Sequence, residues 1–297
     1  MMKLVTFDLD GVLQNNPFGG YVLPTLARII GPYWRGLPPQ FLSPLQQGIT
    51  PTPEQIRLPG LDRKGREIIA AIFAQTALWL QSGQLRDTYD WDAAATTVAR
   101  AVDCHEAFDV AQLVEEGCRQ GHISAFEGAA KILQELSGRG HVLVGVSNGF
   151  TRYQQPVLEA LGLYAYFATL ISPEETGTAK PDPAIFHVAA ERIGAHSAAS
   201  AFHIGDTLIH DIAGAKAANM RVLWMCPSLP EAIASCEPVE RPEHPQILSL
   251  LAARSANEFA AQLYDFSPEQ LVPDAVIVDL FEVPATIEKL AAWDQPA

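Results

Sequence analysis

Six short runs of Val, Ile, Leu, Ala and Phe recur along the chain, and each has the length of a buried strand. From Val142 onward, helical stretches separate most of these runs, an alternation typical of a parallel sheet that is covered on both faces. The pattern therefore predicts an α/β core. The predicted strands are Leu4–Phe7, Val142–Val146, Ala168–Ile171, Ala201–Ile204, Val222–Met225 and Ala275–Val278.

Between the first run and Val142 the pattern changes to helical periodicity, as in GREIIAAIFAQTALWL, with no convincing strand from residue 14 to residue 120. Turn-forming residues lie on both sides, Asn15–Pro17 before this block and Gly121–His122 after it. We predict that residues 15–122 form an all-helical domain, inserted into an α/β core made of residues 1–14 and 123–297.

The predicted core carries an extra helical segment at about residues 227–273. It includes the stretch ILSLLAARSANEFAAQLY, which has the pattern of one helix. We expect this segment to pack on the core, with a dimer contact as the alternative. The oligomeric state is left open between monomer and homodimer.

The net charge limits the classes of partner that the protein can bind, and the cysteine content bears on its cellular compartment. The net charge of −14 and the pI near 4.9 argue against a nucleic-acid partner or an anionic membrane surface. The four scattered cysteines form no C-x-x-C pair, which favours free thiols in a reducing compartment. The N-terminus has no signal-peptide layout, and no apolar run is long enough to span a bilayer. We expect a cytoplasmic protein.

Polar side chains follow the predicted strands at their carboxyl ends, where ligands bind in open parallel sheets. Taken singly, an Asp-x-Asp is common in turns, an SNG stretch in loops and a lysine on the surface. Their recurrence at successive strand ends favours one shared site. The candidates are Asp8 and Asp10 after the first run, Ser147 and Asn148 after the second, Lys180 in TGTAKPDP, and Asp206 and Asp211 in GDTLIHD.

Four carboxylates in one place would repel one another, since two of them about 4 Å apart lose about 4 kcal/mol at an effective dielectric of about 20. A divalent cation and a lysine would relieve this repulsion. Ligand sets made of oxygen suit Mg²⁺, which also binds substrate phosphate. One aspartate can then attack phosphorus through an aspartyl-phosphate, and a second carboxyl can act as general acid.

The segments DLDGV, VSN, KPDP and GDTLIHD resemble, in this order, the four motifs of the haloacid dehalogenase superfamily. The resemblance covers roughly residues 1–14 and 123–226 and resumes at DAVIVDL. It implies a Rossmann-like parallel-sheet core, and the helical block resembles the cap that one branch inserts between the first two motifs. Many relatives carry an acid and a small hydroxyl residue after the first motif, where this chain has Gln14–Pro17.

The resemblance also implies roles in catalysis. Asp8 is expected to be the nucleophile and Asp10 the acid/base that protonates the leaving group. Lys180 is expected to stabilise charge, while Ser147 and Asn148 hold the phosphoryl oxygens.

A Mg²⁺ ion is the cofactor that the resemblance implies. Its expected ligands are the Asp8 carboxylate, the Asp10 backbone carbonyl and Asp206. Asp211 is expected to support the metal site, through water or Lys180.

The sequence therefore predicts a Mg²⁺-dependent phosphohydrolase that acts on a small phosphorylated metabolite. A sugar phosphomutase of the same family is the main alternative, because it would keep both aspartates and the cap. A serine esterase is a further alternative, since GVSNG at Gly145–Gly149 fits a G-x-S-x-G elbow with Ser147 as nucleophile. That reading lacks an HGGG-type segment and leaves Asp8 and Lys180 without a role. A halide-releasing dehalogenase is disfavoured by Asp10, a second carboxylate that those enzymes lack.

Overall fold

A computed structural model describes residues 3–194 and 201–293. Six parallel strands form one sheet in the order β5-β4-β1-β6-β7-β8, which confirms the predicted α/β fold. A separate antiparallel pair joins β2 and β3. The strands are β1 (Leu4–Phe7), β2 (Gln14–Asn15), β3 (Ser124–Ala125), β4 (Val142–Val146), β5 (Thr169–Ile171), β6 (Phe202–Gly205), β7 (Arg221–Met225) and β8 (Ala275–Ile277).

Strand β1 lies at the centre of the sheet and all four of its residues are buried. Val5 pairs with Leu143 of β4 on one side and with Phe202 of β6 on the other. Successive side chains of a strand point to opposite faces, and both faces here are apolar, as in β4, where Leu143 and Val144 belong to different hydrophobic clusters. Helices can therefore cover the sheet on both sides.

Six helices lie in the stretch between β2 and β3. They pack around one hydrophobic cluster, to which the core residues Phe150, Tyr153 and Val157 also contribute. Aspartate side chains cap the three longest of the six at Asp62, Asp90 and Asp109. The six helices are α1 (Leu23–Ile30), α2 (Leu42–Gln46), α3 (Arg63–Gln81), α4 (Leu85–Thr88), α5 (Trp91–Arg100) and α6 (Val110–Arg119).

The two-residue strands β2 and β3 carry the chain into and out of this helical block. Gln14 pairs with Ala125, and Asn15 pairs with Ser124. The sequence pattern predicted no strand at residue 14, because two residues are too few to show a period of two. Both connections between the helical block and the sheet therefore run side by side.

The remaining helices belong to the core. Within residues 3–194 and 201–293, no helix is long and apolar enough to cross a membrane. The core helices are α7 (Ala129–Gly138), α8 (Thr151–Ala160), α9 (Pro173–Thr176), α10 (Ala184–Arg192), α11 (Gly214–Ala217), α12 (Glu231–Ala234), α13 (Ile247–Ser255) and α14 (Val283–Trp293).

The extra segment at 227–273 contains a shorter helix than its sequence pattern predicted. Helix α13 ends at Ser255, and Ala260 has a left-handed backbone with φ 55°. Glu258 turns away and accepts hydrogen bonds from the backbone N–H groups of Leu208 and Ile209. Leu251 packs in the core cluster, whereas Ala260 packs against Ile49 and Ala77 of the helical block. The segment thus contacts the core and the helical block together.

Candidate active site

The carboxyl ends of β1, β4 and β6 open into a pocket of about 280 Å³. Six of the seven predicted site residues line it, and Asp211 lies directly behind it, fully buried. Six predicted residues thus lie together at one edge of the sheet, and their catalytic roles stay predictions. The lining residues are Asp8, Asp10, Tyr89, Ser147, Asn148, Gly149, Lys180, Asp206, Thr207, His210 and Phe259.

Lys180 joins two of the carboxylates. Its Nζ lies 2.6 Å from Asp8 Oδ1 and 2.6 Å from Asp211 Oδ1, and the residue is 3% exposed. Burial lowers the pKa of Lys180, but the two carboxylates outweigh burial and the net pKa is raised. The ammonium group is therefore charged at neutral pH.

The Lys180 backbone is fixed by the side-chain amide of Asn148. Lys180 N–H donates to Asn148 Oδ1 at 2.8 Å, and Asn148 Nδ2 donates to the Lys180 carbonyl at 3.0 Å. The same Nδ2 donates to the Tyr89 hydroxyl at 2.8 Å. Asn148 thus uses both amide hydrogens to tie together the loop after β4, the Lys180 loop and the helical block.

Asp211 accepts hydrogen bonds on both carboxylate oxygens. Its Oδ1 contacts Lys180 Nζ and lies 3.1 Å from His203 Nε2, and its Oδ2 accepts from the Thr207 N–H and hydroxyl at 3.0 and 2.5 Å. Burial raises the pKa of Asp211, but Lys180 and His203 outweigh it and hold this pKa well below its usual range. Asp211 is an ionised carboxylate that orients Lys180 and the Thr207 turn.

Asp8 and Asp206 are the carboxyls that remain under-compensated. Burial raises the pKa of Asp8 to about 7, although Lys180 lowers it in part. Burial, together with the charges of Asp8 and Asp211, raises the pKa of Asp206 to about 8. One lysine therefore does not balance these acids.

The same acids fit a divalent cation. One oxygen from each of Asp8, Asp206 and Asp211 lies within 4.8 Å of the other two. The close approach of Asp206 depends on Gly11, since a Cβ there would lie 2.3 Å from Asp206 Oδ2 and the Gly11 φ is +82°. An oxygen-only set with surplus negative charge is the donor set that Mg²⁺ prefers.

Asp10 is held apart from this cluster by two amides. Gln154 Nε2 donates to Asp10 Oδ2 at 2.6 Å, Gln14 Nε2 donates to Oδ1 at 3.3 Å, and Gln14 Nε2 also donates to Gln154 Oε1 at 2.6 Å. Burial raises the pKa of Asp10, and the amide donors lower it in part. Asp10 is therefore an oriented carboxyl whose proton is easier to retain than that of a free aspartate.

The sequence analysis missed Gln154, Tyr89 and Phe259. Tyr89 reaches the pocket from the helical block and Phe259 from the 227–273 segment. Gln14 carried a signal, as part of the departure after the first motif. Gln154 lies six residues after Asn148, but its local pattern is that of an ordinary helix residue. Tyr89 and Phe259 lie far from any motif in sequence.

Ser147 does not form the nucleophile of a serine hydrolase. Its hydroxyl oxygen accepts a hydrogen bond from the Gly149 N–H at 3.0 Å. His210 lines the same pocket, but among the residues that the structure describes its buried Nε2 has no hydrogen-bond partner. Among the described residues Ser147 therefore has no histidine partner, and the geometry does not favour the esterase alternative.

A family model described as a haloacid dehalogenase-like hydrolase matches residues 2–219. The chain belongs to this family. The match confirms the resemblance that the four motifs carry, and it includes every predicted site residue of this haloacid dehalogenase-like hydrolase.

Two curated relatives match parts of the chain. It is 37% identical over 99 residues to the pyrimidine 5'-nucleotidase YjjG of Escherichia coli (strain K12), which is 33% of this chain and 43% of that protein. It is 28% identical over 161 residues to a phosphoglycolate phosphatase of Pectobacterium atrosepticum, which is 52% of this chain and 66% of that protein. Neither match reaches two thirds of the relative.

Solved structures that match almost the whole chain include a 2-haloacid dehalogenase. The 2-haloacid dehalogenase from Pseudomonas syringae pv. Tomato DC3000 covers 98% of this chain and all of its own, with a TM-score of 0.55 and 22% identity. At this identity the likeness shows a shared fold.

Proposed function

We propose that this haloacid dehalogenase-like hydrolase is a Mg²⁺-dependent phosphatase of small phosphorylated metabolites, acting through an aspartyl-phosphate on Asp8. The observation that carries the proposal is the separation of the two motif aspartates. Asp8 lies against Lys180 in the acidic cluster, whereas Asp10 is held apart by Gln14 and Gln154. This separation supports one carboxylate as the nucleophile and the other as the group that transfers a proton. The names of the two curated relatives, a nucleotidase and a phosphatase, agree with this chemistry.

In the proposed first step a carboxylate oxygen of Asp8 attacks phosphorus, the bond from phosphorus to the ester oxygen breaks, and Asp10 gives its proton to the departing alcohol oxygen. In the second step Asp10 takes a proton from water, whose oxygen attacks phosphorus and releases Asp8 with inorganic phosphate. Lys180 balances negative charge throughout. Mg²⁺, held by Asp8, Asp206 and the Asp10 backbone carbonyl, would supply further positive charge to the phosphoryl oxygens.

The phosphatase proposal predicts a specific pattern of loss. Hydrolysis of p-nitrophenyl phosphate should need added Mg²⁺, stop with EDTA and resist serine-directed organophosphates. Asp8→Asn should lose activity and accumulate no acid-stable phosphoenzyme from labelled substrate, because an amide does not readily form an acyl phosphate. Turnover without metal, or full activity in Asp8→Asn, would contradict the proposal.

A sugar phosphomutase is the second candidate, since it would use the same pair of aspartates. A mutase returns the phosphoryl group from Asp8 to a sugar, whereas a phosphatase transfers it to water. We expect steady release of inorganic phosphate without a bisphosphate primer. Isomerised sugar phosphate as the main product would favour the mutase.

A further inference from the structure

A second cavity, of about 580 Å³, adjoins the active-site pocket. Tyr89 and Phe259 line both spaces, so these two side chains form a wall that the two cavities share. The volume lies within the range of about 300 to 1,000 Å³ that is usual for small-molecule sites. It lies between the helical block and the segment Ala256–Gln262, and Asp8 lines the adjoining pocket.

Aromatic rings and uncharged polar side chains make up most of the walls of this cavity. Phe73, Tyr89, Trp91 and Phe259 supply rings, and ring faces favour flat partners. The uncharged polar residues are Thr50, Gln55, Thr76, Thr88, Asn257 and Gln262. Such walls suit a ring that carries hydrogen-bonding groups.

No Lys, Arg or His is found among the described residues that line this cavity, and Glu258 is its one charged residue there. The Glu258 carboxylate is engaged by the backbone of Leu208 and Ile209. A negatively charged leaving group would thus meet no cation in these walls, and burying an unpaired charge is costly.

Arg152 of α8 and Arg86 of the helical block are engaged elsewhere. Arg152 pairs with three carboxylates, those of Asp90, Asp92 and Glu174. Arg86 donates to the Glu174 carbonyl at 3.4 Å.

We propose that this cavity receives the leaving group of the substrate, and that this leaving group is an uncharged alcohol carrying a flat ring, the chemical class to which nucleosides belong. The inference rests on the proposed phosphatase function, because Asp8 fixes where the phosphate lies. The aromatic walls bind the ring, and the lack of a cation excludes leaving groups that carry a carboxylate or a second phosphate.

Three alkyl phosphates whose alcohols have similar acidity test this inference: methyl, benzyl and 4-carboxybenzyl phosphate. The kcat/KM for benzyl phosphate should exceed that for methyl phosphate at least about tenfold, and that for 4-carboxybenzyl phosphate should be at least about tenfold lower than for benzyl phosphate. Equal values for methyl and benzyl phosphate, or for the two ring esters, would overturn the inference.

A charge placed in the wall gives a sharper test. Gln55 is exposed and lines the cavity, while Gln46 is equally exposed nearby and does not. Gln55→Arg should raise kcat/KM for 4-carboxybenzyl phosphate at least about fivefold, because the arginine pairs with the carboxylate. Gln46→Arg adds the same net charge and should leave the ratio between the ring esters unchanged. An equal response of both variants would contradict the assignment.

The two proposals fail in different ways. Absence of acetyl phosphate hydrolysis by the wild-type protein with Mg²⁺ would count against the phosphatase. Calorimetric binding of the three alkyl esters to Asp8→Asn with Mg²⁺ tests the cavity without turnover. If benzyl phosphate binds most tightly, the cavity assignment is supported even where the phosphatase proposal fails. Equal binding of all three esters overturns the cavity assignment.

Discussion

Asp10 is held by the amide donors of Gln14 and Gln154, whereas Asp8 and Asp211 are paired with Lys180. Asp10→Asn removes the proposed general acid, an effect of roughly a hundred- to ten-thousand-fold on alkyl phosphates. The loss should shrink for p-nitrophenyl phosphate, whose leaving group needs little protonation. The rates of Asp10→Asn and of the wild type on alkyl phosphates and on p-nitrophenyl phosphate check this. Equal losses on both, with phosphorylation of Asp8 still rate-limiting, would remove Asp10 from the role of leaving-group acid.

Gln154 positions Asp10, and its hydrogen bond to the carboxylate lowers the Asp10 pKa. Gln154→Leu should therefore raise this pKa further. Since Asp10 must be protonated to act as the acid, the decline of kcat/KM at high pH should move upward by about one pH unit.

Gln155→Leu is the matched control for Gln154, because Gln155 bonds only to Glu159 among the contacts described. Its pH profile should match that of the wild type. A Gln154 variant that loses rate with an unmoved profile would have a purely structural defect.

The residues of the site differ in how far the sequence could predict them. Asp8, Ser147 and Asp206 each end a strand whose apolar run is visible, so their meeting at one edge follows from the parallel sheet. Tyr89 and Phe259 arrive through the packing of the helical block and of the 256–262 stretch. That packing is a property of the folded chain, which local periodicity does not encode.

At the scale of elements, the stretch after α13 contributes a buried carboxyl. Burial raises the pKa of Glu258 from 4.5 to about 7, although two backbone N–H groups lower it in part. A raised pKa means that the folded state retains the proton longer than the unfolded state. This residue therefore makes the free energy of unfolding fall as pH rises between those two values.

Glu258→Gln should make the free energy of unfolding depend less on pH. Between pH 5 and pH 8 the free energy of unfolding of the wild type should fall by about 2 kcal/mol more than that of the variant. Urea unfolding at the two pH values measures it. Glu54→Gln, on the exposed surface of the helical block, should follow the wild type. Parallel curves for Glu258→Gln and wild type would show that the carboxyl titrates alike in both states.

Helices and strands also differ in how well the local sequence pattern predicts them, because some depend on tertiary contacts. The strand run at Val142–Val146 matches β4 residue for residue, because its two buried faces require unbroken apolar sequence. The helix predicted to continue from Ile247 to Tyr264 ends at Ser255 instead. Its later residues have helical periodicity, but Glu258 and Ala260 take tertiary contacts that the continued helix could not make.

At the scale of the whole molecule, Arg152 joins the helical block to the core. The guanidinium contacts Asp90 and Asp92 at the start of α5 and Glu174 of α9. Arg152→Met leaves these carboxylates without their cation, so the free energy of unfolding should fall by about 2 kcal/mol. Amide exchange should quicken in α5 and stay unchanged in β1.

Arg139→Met is the comparison for Arg152. Arg139 also pairs with two carboxylates, Glu135 and Glu288. Both belong to helices of the α/β core and are solvent-accessible, so this pairing does not involve the helical block. This variant should stay within about 0.5 kcal/mol of wild type. Equal effects of the two substitutions would mean that Arg152 does not fasten the block.

The central position of β1 has a consequence for biosynthesis. Its neighbours in the sheet begin at Val142 and Phe202, so β1 emerges from the ribosome long before either partner is translated. The helical block, rich in local contacts, can fold in that interval, while the apolar strand LVTF waits unpaired. A nascent chain halted before residue 142 should consequently expose a strand open to chaperones and to aggregation. The strand that precedes Asp8 is the first of the sheet to be synthesised. It becomes buried only after its partner strands have been made.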